Sequence, residues 1–205
     1  MSARFSFTDS ISLIKTIRTS GTITPSSPIL INRLLKPIDF SKAKCIVELG
    51  PGNGCFTREL LRRMTDDCVL VCFEVNDEFV DQLNALCDPR MHVYNACASS
   101  IREVLDELNI DEVDHIVSSL PLALIDDEVV SNILASAREN LREGGRFLQY
   151  QYSLKNYSDV KPVFSDVKLK FTLRNMPPAF VYECIKELKY SKSSSIITMN
   201  EIILV

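Results

Sequence analysis

Residues 48–54 read Glu-Leu-Gly-Pro-Gly-Asn-Gly, between the apolar run Cys45-Ile46-Val47 and the segment CFTRELL at 55–61. Gly50, Gly52 and Gly54 stand at every second position, where a strand hands over to a helix. Glycines allow backbone conformations closed to other residues, and they remove the Cβ atoms that would keep a ligand from the amides opening that helix. A dinucleotide fingerprint would want its third glycine at 55, where Cys55 stands. The spacing favours a different nucleoside ligand. Glu74 closes the next strand-like run, the place from which a carboxylate takes both ribose hydroxyls. A tight turn with no ligand is the plainer alternative; Glu74 in register weighs against it.

Outward from this stretch, strand and helix patterns alternate. Phe7, Ile11, Ile14 and Arg18 fall at helical spacing over 7–18, with Gly21 as a stop. Ser27-Pro28 reads as an N-cap and first-turn proline for a helix through about Leu35. Strands are expected at 44–49, 68–74, 91–95, 113–119, 146–152, 167–174 and 180–187. Helices are expected from 54, over 77–87, near 100–108 and over 126–143, the last closing at Gly144-Gly145. This order implies an α/β, Rossmann-like fold. Its seven-stranded sheet is mainly parallel, with helices on both faces and an antiparallel C-terminal edge. One globular unit is expected, with residues 1–37 as a helical lid or membrane-contacting segment and 38–205 as the cofactor-binding domain.

Composition agrees: 205 residues, 46% apolar and 24% charged, suit one soluble domain. No apolar run reaches the ~18 residues of a membrane span, and Met1–Ser6 holds no secretory core. Seven cysteines, mostly in or beside apolar runs, read as reduced thiols of a cytoplasmic protein. With two histidines and no C-x-x-C pair, no metal site is expected. The net charge of −4 conceals an asymmetry, because residues 1–45 carry seven basic and two acidic side chains. An acidic body argues against a duplex nucleic-acid footprint, whereas the basic N-terminal segment can meet an anionic surface or form a solvated helix face.

The stretches VELGPGNG (47–54) and VCFEVN (71–76) resemble the first two motifs of class I S-adenosylmethionine-dependent methyltransferases. Four more, SGTITPSSPIL (20–30), VSSLPLALI (117–125), FLQYQYSL (147–154) and RNMPPAFVYE (174–183), resemble the bacterial phospholipid N-methyltransferases, which methylate phosphatidylethanolamine. The resemblance runs from about residue 20 to 187. It implies S-adenosyl-L-methionine as cofactor, with Glu48, Gly50, Pro51, Gly52, Asn53 and Gly54 along its methionine and ribose side and Glu74 on the ribose. Thr24, Pro25 and Ser26 would form a lid, and Ser118 to Leu122 the floor beside the transferred methyl. Two departures stand out. Where many relatives place an adenine-binding aspartate, this chain has Cys97, a poor acceptor, so a backbone group or Ser99 is the alternative. Ribosomal RNA adenine dimethylases, similar in the first motif, carry N-L-P-Y where this chain has Ser119-Leu120-Pro121-Leu122, which can neither grip nor stack on a flipped base.

Methyl transfer from a sulfonium is an in-line displacement, so the protein must position a neutral amine and accept its proton. Ser118, Ser119 and the Leu120 carbonyl are the candidate acceptors, with Pro121 and Leu122 beside the substrate. Tyr150 and Tyr152 alternate to share one strand face, where aromatic rings hold methylated ammonium or simply pack the sheet. Asn175 before Pro177-Pro178 closes the pocket or makes a hairpin turn. The helix at 7–18 either lies over the cofactor or sets Phe7, Ile11 and Ile14 in a lipid boundary with Lys15 and Arg18 on headgroups. A lipid-amine N-methyltransferase in weak peripheral contact with the inner face of an anionic membrane leads. A methyltransferase on RNA adenine or a small amine is second, and a non-catalytic cofactor-binding protein third.

Overall fold

The computed structural model describes residues 26–164, 166–173, 175 and 177–188; the helix expected at 7–18, the lid residues Thr24 and Pro25, and the tail from 190 lie outside them. Seven strands, β1 (Cys45–Leu49), β2 (Val69–Glu74), β3 (Met91–Asn95), β4 (Val113–Ser118), β5 (Leu141–Gln151), β6 (Asp166–Thr172) and β7 (Ala179–Ile185), form one sheet in the order β3-β2-β1-β4-β5-β7-β6. The first five run parallel; β7 is antiparallel to both β5 and β6. The expected architecture, antiparallel edge included, is what the chain adopts.

Helices α1 (Pro28–Leu35), α2 (Cys55–Arg63), α3 (Asp77–Asn84), α4 (Ile101–Glu107), α5 (Asp127–Asn140) and α6 (Tyr157–Val163) surround the sheet. Strand alternation divides the core into two layers. Ile46, Leu70, Cys72, Val117, Leu148 and Val181 bury against Leu30 and Leu34 of α1 and Phe56 and Leu60 of α2. Val47, Val71, Ile116, Phe147 and Tyr182 bury against α4, α5 and α6. Because central strands are covered on both faces, β1 is buried at every position, and Glu48 is buried with it.

Two local departures from the sequence reading have clear causes. Helix α5 ends at Asn140, before the two glycines, and β5 begins at Leu141. Gly144 adopts φ +71, and a Cβ on Gly145 would lie 2.8 Å from the Arg142 carbonyl oxygen and 3.0 Å from that of Asp114. The pair therefore serves the shift in β4–β5 register between Val113 and His115, not a helix cap. Helix α6, unanticipated, is one short segment with Pro162 inside it.

Candidate functional site

The C-terminal ends of β1 to β4 converge where the strand order reverses, between β1 and β4, which is where open α/β sheets hold ligands. Gly50, Gly52 and Gly54 have φ of 69°, 57° and 78°, so each of the three occupies the left-handed region. The Gly50 amide donates to the Phe73 carbonyl (2.9 Å), and the Gly54 amide to that of Pro51 (3.1 Å). Gly54 is the N-cap of α2, so Pro51 and Asn53 are the non-glycine members of a loop delivering the helix N-terminus to the opening.

Glu74, fully buried at the end of β2, faces this loop. Its Oε2 accepts from the Gly52 amide (2.9 Å), and its Oε1 from the amides of Val75 (2.9 Å) and Asn76 (3.1 Å). A carboxylate oriented by three backbone amides beside a glycine turn is an acceptor for the two donating hydroxyls of a ribose, so these residues fit a nucleoside cofactor. Glu48 lies one layer below: its Oε2 accepts from the Thr57 hydroxyl of α2 at 2.7 Å, tying β1 to that helix. Cys97 stands half-exposed at the turn after β3, and its carbonyl accepts from the Ser100 amide.

The segment after β4 turns sharply. The Ser119 amide donates to the Leu49 carbonyl (2.9 Å), and Ser118 Oγ accepts from the Leu120 amide (3.4 Å). The Leu120 carbonyl accepts two side-chain amides, Gln149 Nε2 at 3.0 Å and Gln151 Nε2 at 3.1 Å, which together occupy both its lone pairs. Ser119 Oγ is buried and has no hydrogen-bond partner among the described residues. Of the three expected acceptors, Ser119 is thus the one whose oxygen has no partner among the described residues, whereas Ser118 Oγ accepts one bond and the Leu120 carbonyl two. Pro121 is half-buried and Leu122 fully buried in the core below the turn.

Gln149 and Gln151 are site residues the sequence reading missed. Two glutamines two apart in an apolar strand must share a buried face, and that was the available signal.

The other side of the opening gathers four expected residues. Tyr150 stacks on Phe56 (5.6 Å between ring centroids) and meets the edge of Tyr152 (5.8 Å), so the two tyrosines do share a face. Ser26 Oγ lies 3.4 Å from the Tyr150 hydroxyl. Asn175, in the β6–β7 turn, accepts the Ser27 amide at 3.2 Å, donates to the Pro177 carbonyl at 2.7 Å, and bonds the Tyr152 hydroxyl. It clasps the start of α1, the exit of β5 and the hairpin together. Burial pushes the Tyr152 hydroxyl pKa up, so the ring presents a neutral phenol.

Residues 46–145 match a family described as a methyltransferase domain. An ornithine lipid N-methyltransferase of Singulisphaera acidiphila is 27% identical over 173 residues, covering 80% of this chain and 87% of that protein. A ribosomal RNA small subunit methyltransferase A of Mycoplasma mycoides is 37% identical over 59 residues, covering 29% of this chain and 21% of that protein. Among solved structures, magnesium protoporphyrin IX methyltransferase from Synechocystis with bound S-adenosylmethionine has the same fold. That likeness has a TM-score of 0.60 at 8% identity and covers 91% of this chain and 87% of that one.

Proposed function

We propose, from the match of residues 46–145 to a methyltransferase domain family and the similarity to an ornithine lipid N-methyltransferase, that this chain is an S-adenosylmethionine-dependent methyltransferase that N-methylates the amine headgroup of a membrane lipid, phosphatidylethanolamine or a related amine lipid. The observation carrying this reading is the similarity to an ornithine lipid N-methyltransferase along most of both chains. The similarity to an RNA methyltransferase is confined to 59 residues. The turn at Ser119–Leu122 supports the same choice, since it offers neither a side-chain amide to grip a base nor an aromatic ring to stack on it.

S-adenosyl-L-methionine, when bound, supplies a methyl group activated by its sulfonium. Glu74 would hold the ribose hydroxyls, and the loop from Gly50 to Gly54 would bring the N-terminus of α2 against the cofactor. Cys97 would border the adenine. At the acceptor side, Gln149 and Gln151 hold the Leu120 carbonyl and with it the turn that carries Ser119. Ser119 Oγ would accept a hydrogen bond from an N–H of the incoming neutral amine, orienting its lone pair, while Tyr150 and Tyr152 would line the path of the methylated ammonium. Ser26 would close over Tyr150. Among the described residues no helix is long and apolar enough to cross a membrane.

The test is incubation of purified protein and labelled cofactor with vesicles containing phosphatidylethanolamine or ornithine lipid, beside naked ribosomal RNA. Label in either lipid supports the reading; label in RNA alone reverses it.

A further inference from the structure

Eight large apolar side chains are exposed among the described residues, and six of them stand at one end of the molecule. Ile29 lies in the first turn of α1, which Asn175 pins to the hairpin through Ser27. Leu124 follows the Ser119–Leu122 turn, and Tyr152 and Leu154 follow β5. Phe171 shares a row with Phe180 and Gln151, one pair before the end of the β6–β7 ladder, and Leu173, 74% exposed, leads into the hairpin. Of the other two, Leu169 lies two rows back from Phe171 and Leu188 at the opposite end, beyond β7.

The six come from four separate segments, joined by contacts across the opening: Lys155 Nζ donates to the Ala123 carbonyl, and Arg33 Nη1 to the Phe171 carbonyl. They border the site on its β4, β5 and β6 side, at the end of the sheet where β4 and β5 finish, and belong to no single helix face. Apolar side chains gathered so closely at one place are the mark of an interaction surface.

We infer that this patch is a bilayer-docking rim, through which the enzyme settles on the membrane holding its substrate. The inference rests on the lipid-amine reading above. A second protein seated on the patch would cover the acceptor's way in, whereas a bilayer would present the amine to it. The cations agree. Lys155 and Arg33 donate to the carbonyls of Ala123 and Phe171, so two cations stand among the exposed apolar side chains, where lipid phosphates would pair with them. The acids beyond Leu124, Asp126 and Asp127, lie at the start of α5, where Asp126 caps the helix by accepting the Glu128 amide.

The experiment uses the full chain and vesicles of phosphatidylcholine with phosphatidylethanolamine, with and without an anionic lipid. The variant Leu154→Ser/Phe171→Ser/Leu173→Ser is compared with the parent, with Leu188→Ser as a remote control and with the charge reversal Lys15→Glu/Arg18→Glu. The rim variant should lose at least ten-fold in vesicle co-sedimentation and in methylation of vesicle lipid. Its cofactor affinity and its turnover of a water-soluble short-chain amine lipid should stay within about two-fold, which also reports that it folds. Leu188→Ser should match the parent. Co-sedimentation unchanged in the rim variant, or lost only on reversing Lys15 and Arg18, overturns the inference and leaves the lipid reading standing. Rim-dependent binding with no lipid methylated by the parent has the opposite meaning: the surface stands and the substrate assignment falls.

Discussion

The Gly52 amide donates to Glu74 Oε2 across 2.9 Å, joining the turn after β1 to the last residue of β2. The loop proposed to approach the cofactor is thereby positioned by the carboxylate proposed to hold its ribose. Loop and acid form one unit, and a change in either is felt by both.

Replacing Glu74 with alanine should therefore weaken S-adenosylmethionine binding by ~1.5–3 kcal/mol, the worth of charge-assisted hydrogen bonds. Calorimetry checks this, with a thermal melt in parallel because three loop amides also lose their acceptor. Unchanged affinity would remove Glu74 from the ribose.

The glutamine pair gives a different signature. Gln149→Met removes one of the two donors on the Leu120 carbonyl and should lower turnover while leaving cofactor affinity alone. Loss of a buried hydrogen bond costs ~1–3 kcal/mol, so kcat should fall roughly ten-fold or more. Steady-state kinetics separates this from a fall in acceptor binding, which would appear as a raised KM at constant kcat.

Asn175→Ala releases the clasp between α1, Tyr152 and the hairpin. At about 1 kcal/mol for each lost hydrogen bond, the acceptor KM should rise several-fold, with cofactor affinity preserved. Equal loss of both affinities would mean that Asn175 supports the whole domain and not the acceptor side.

The pH dependence of stability should be visible at His115. This side chain is buried in β4 with no partner for its Nδ1 among the described residues, and burial pushes its pKa down to about 4. Asp114 opposes the shift, while Arg146 and Arg142 add to it. Above pH ~6.5 the imidazole is neutral folded and unfolded, so it adds no pH dependence there. As pH falls from ~6.5 towards 4, only the unfolded chain takes the proton, and stability should decline by up to about 3 kcal/mol. Urea midpoints at pH 7.5 and 5 measure the decline, which His115→Gln should flatten.

Much of this was legible in the sequence. Strand patterns alternating with helix patterns, such as Val69–Glu74 before Asp77–Asn84 and Met91–Asn95 before Ile101–Glu107, declared a mainly parallel sheet, because parallel neighbours need helical crossovers. The glycines at 50, 52 and 54 declared the left-handed turn after β1, and the spacing of Tyr150 and Tyr152 their shared face. Less legible were features fixed by distant partners. Gly144-Gly145 look like a helix stop until Asp114 and Arg142 are seen to leave no room for a Cβ. Asn175 looks like a turn residue until Ser27, 148 positions away in sequence, donates to it. The Leu120 carbonyl looked like a free acceptor because nothing near it in sequence reveals the two glutamines that occupy it.

The most direct test of lipid-amine methylation offers the purified chain labelled S-adenosylmethionine together with total lipid, protein and RNA extracts, and asks which fraction takes the label. The account predicts label in the lipid fraction, on an amine headgroup carrying one or more added methyls. Label in RNA or 30S particles with none in lipid would contradict it.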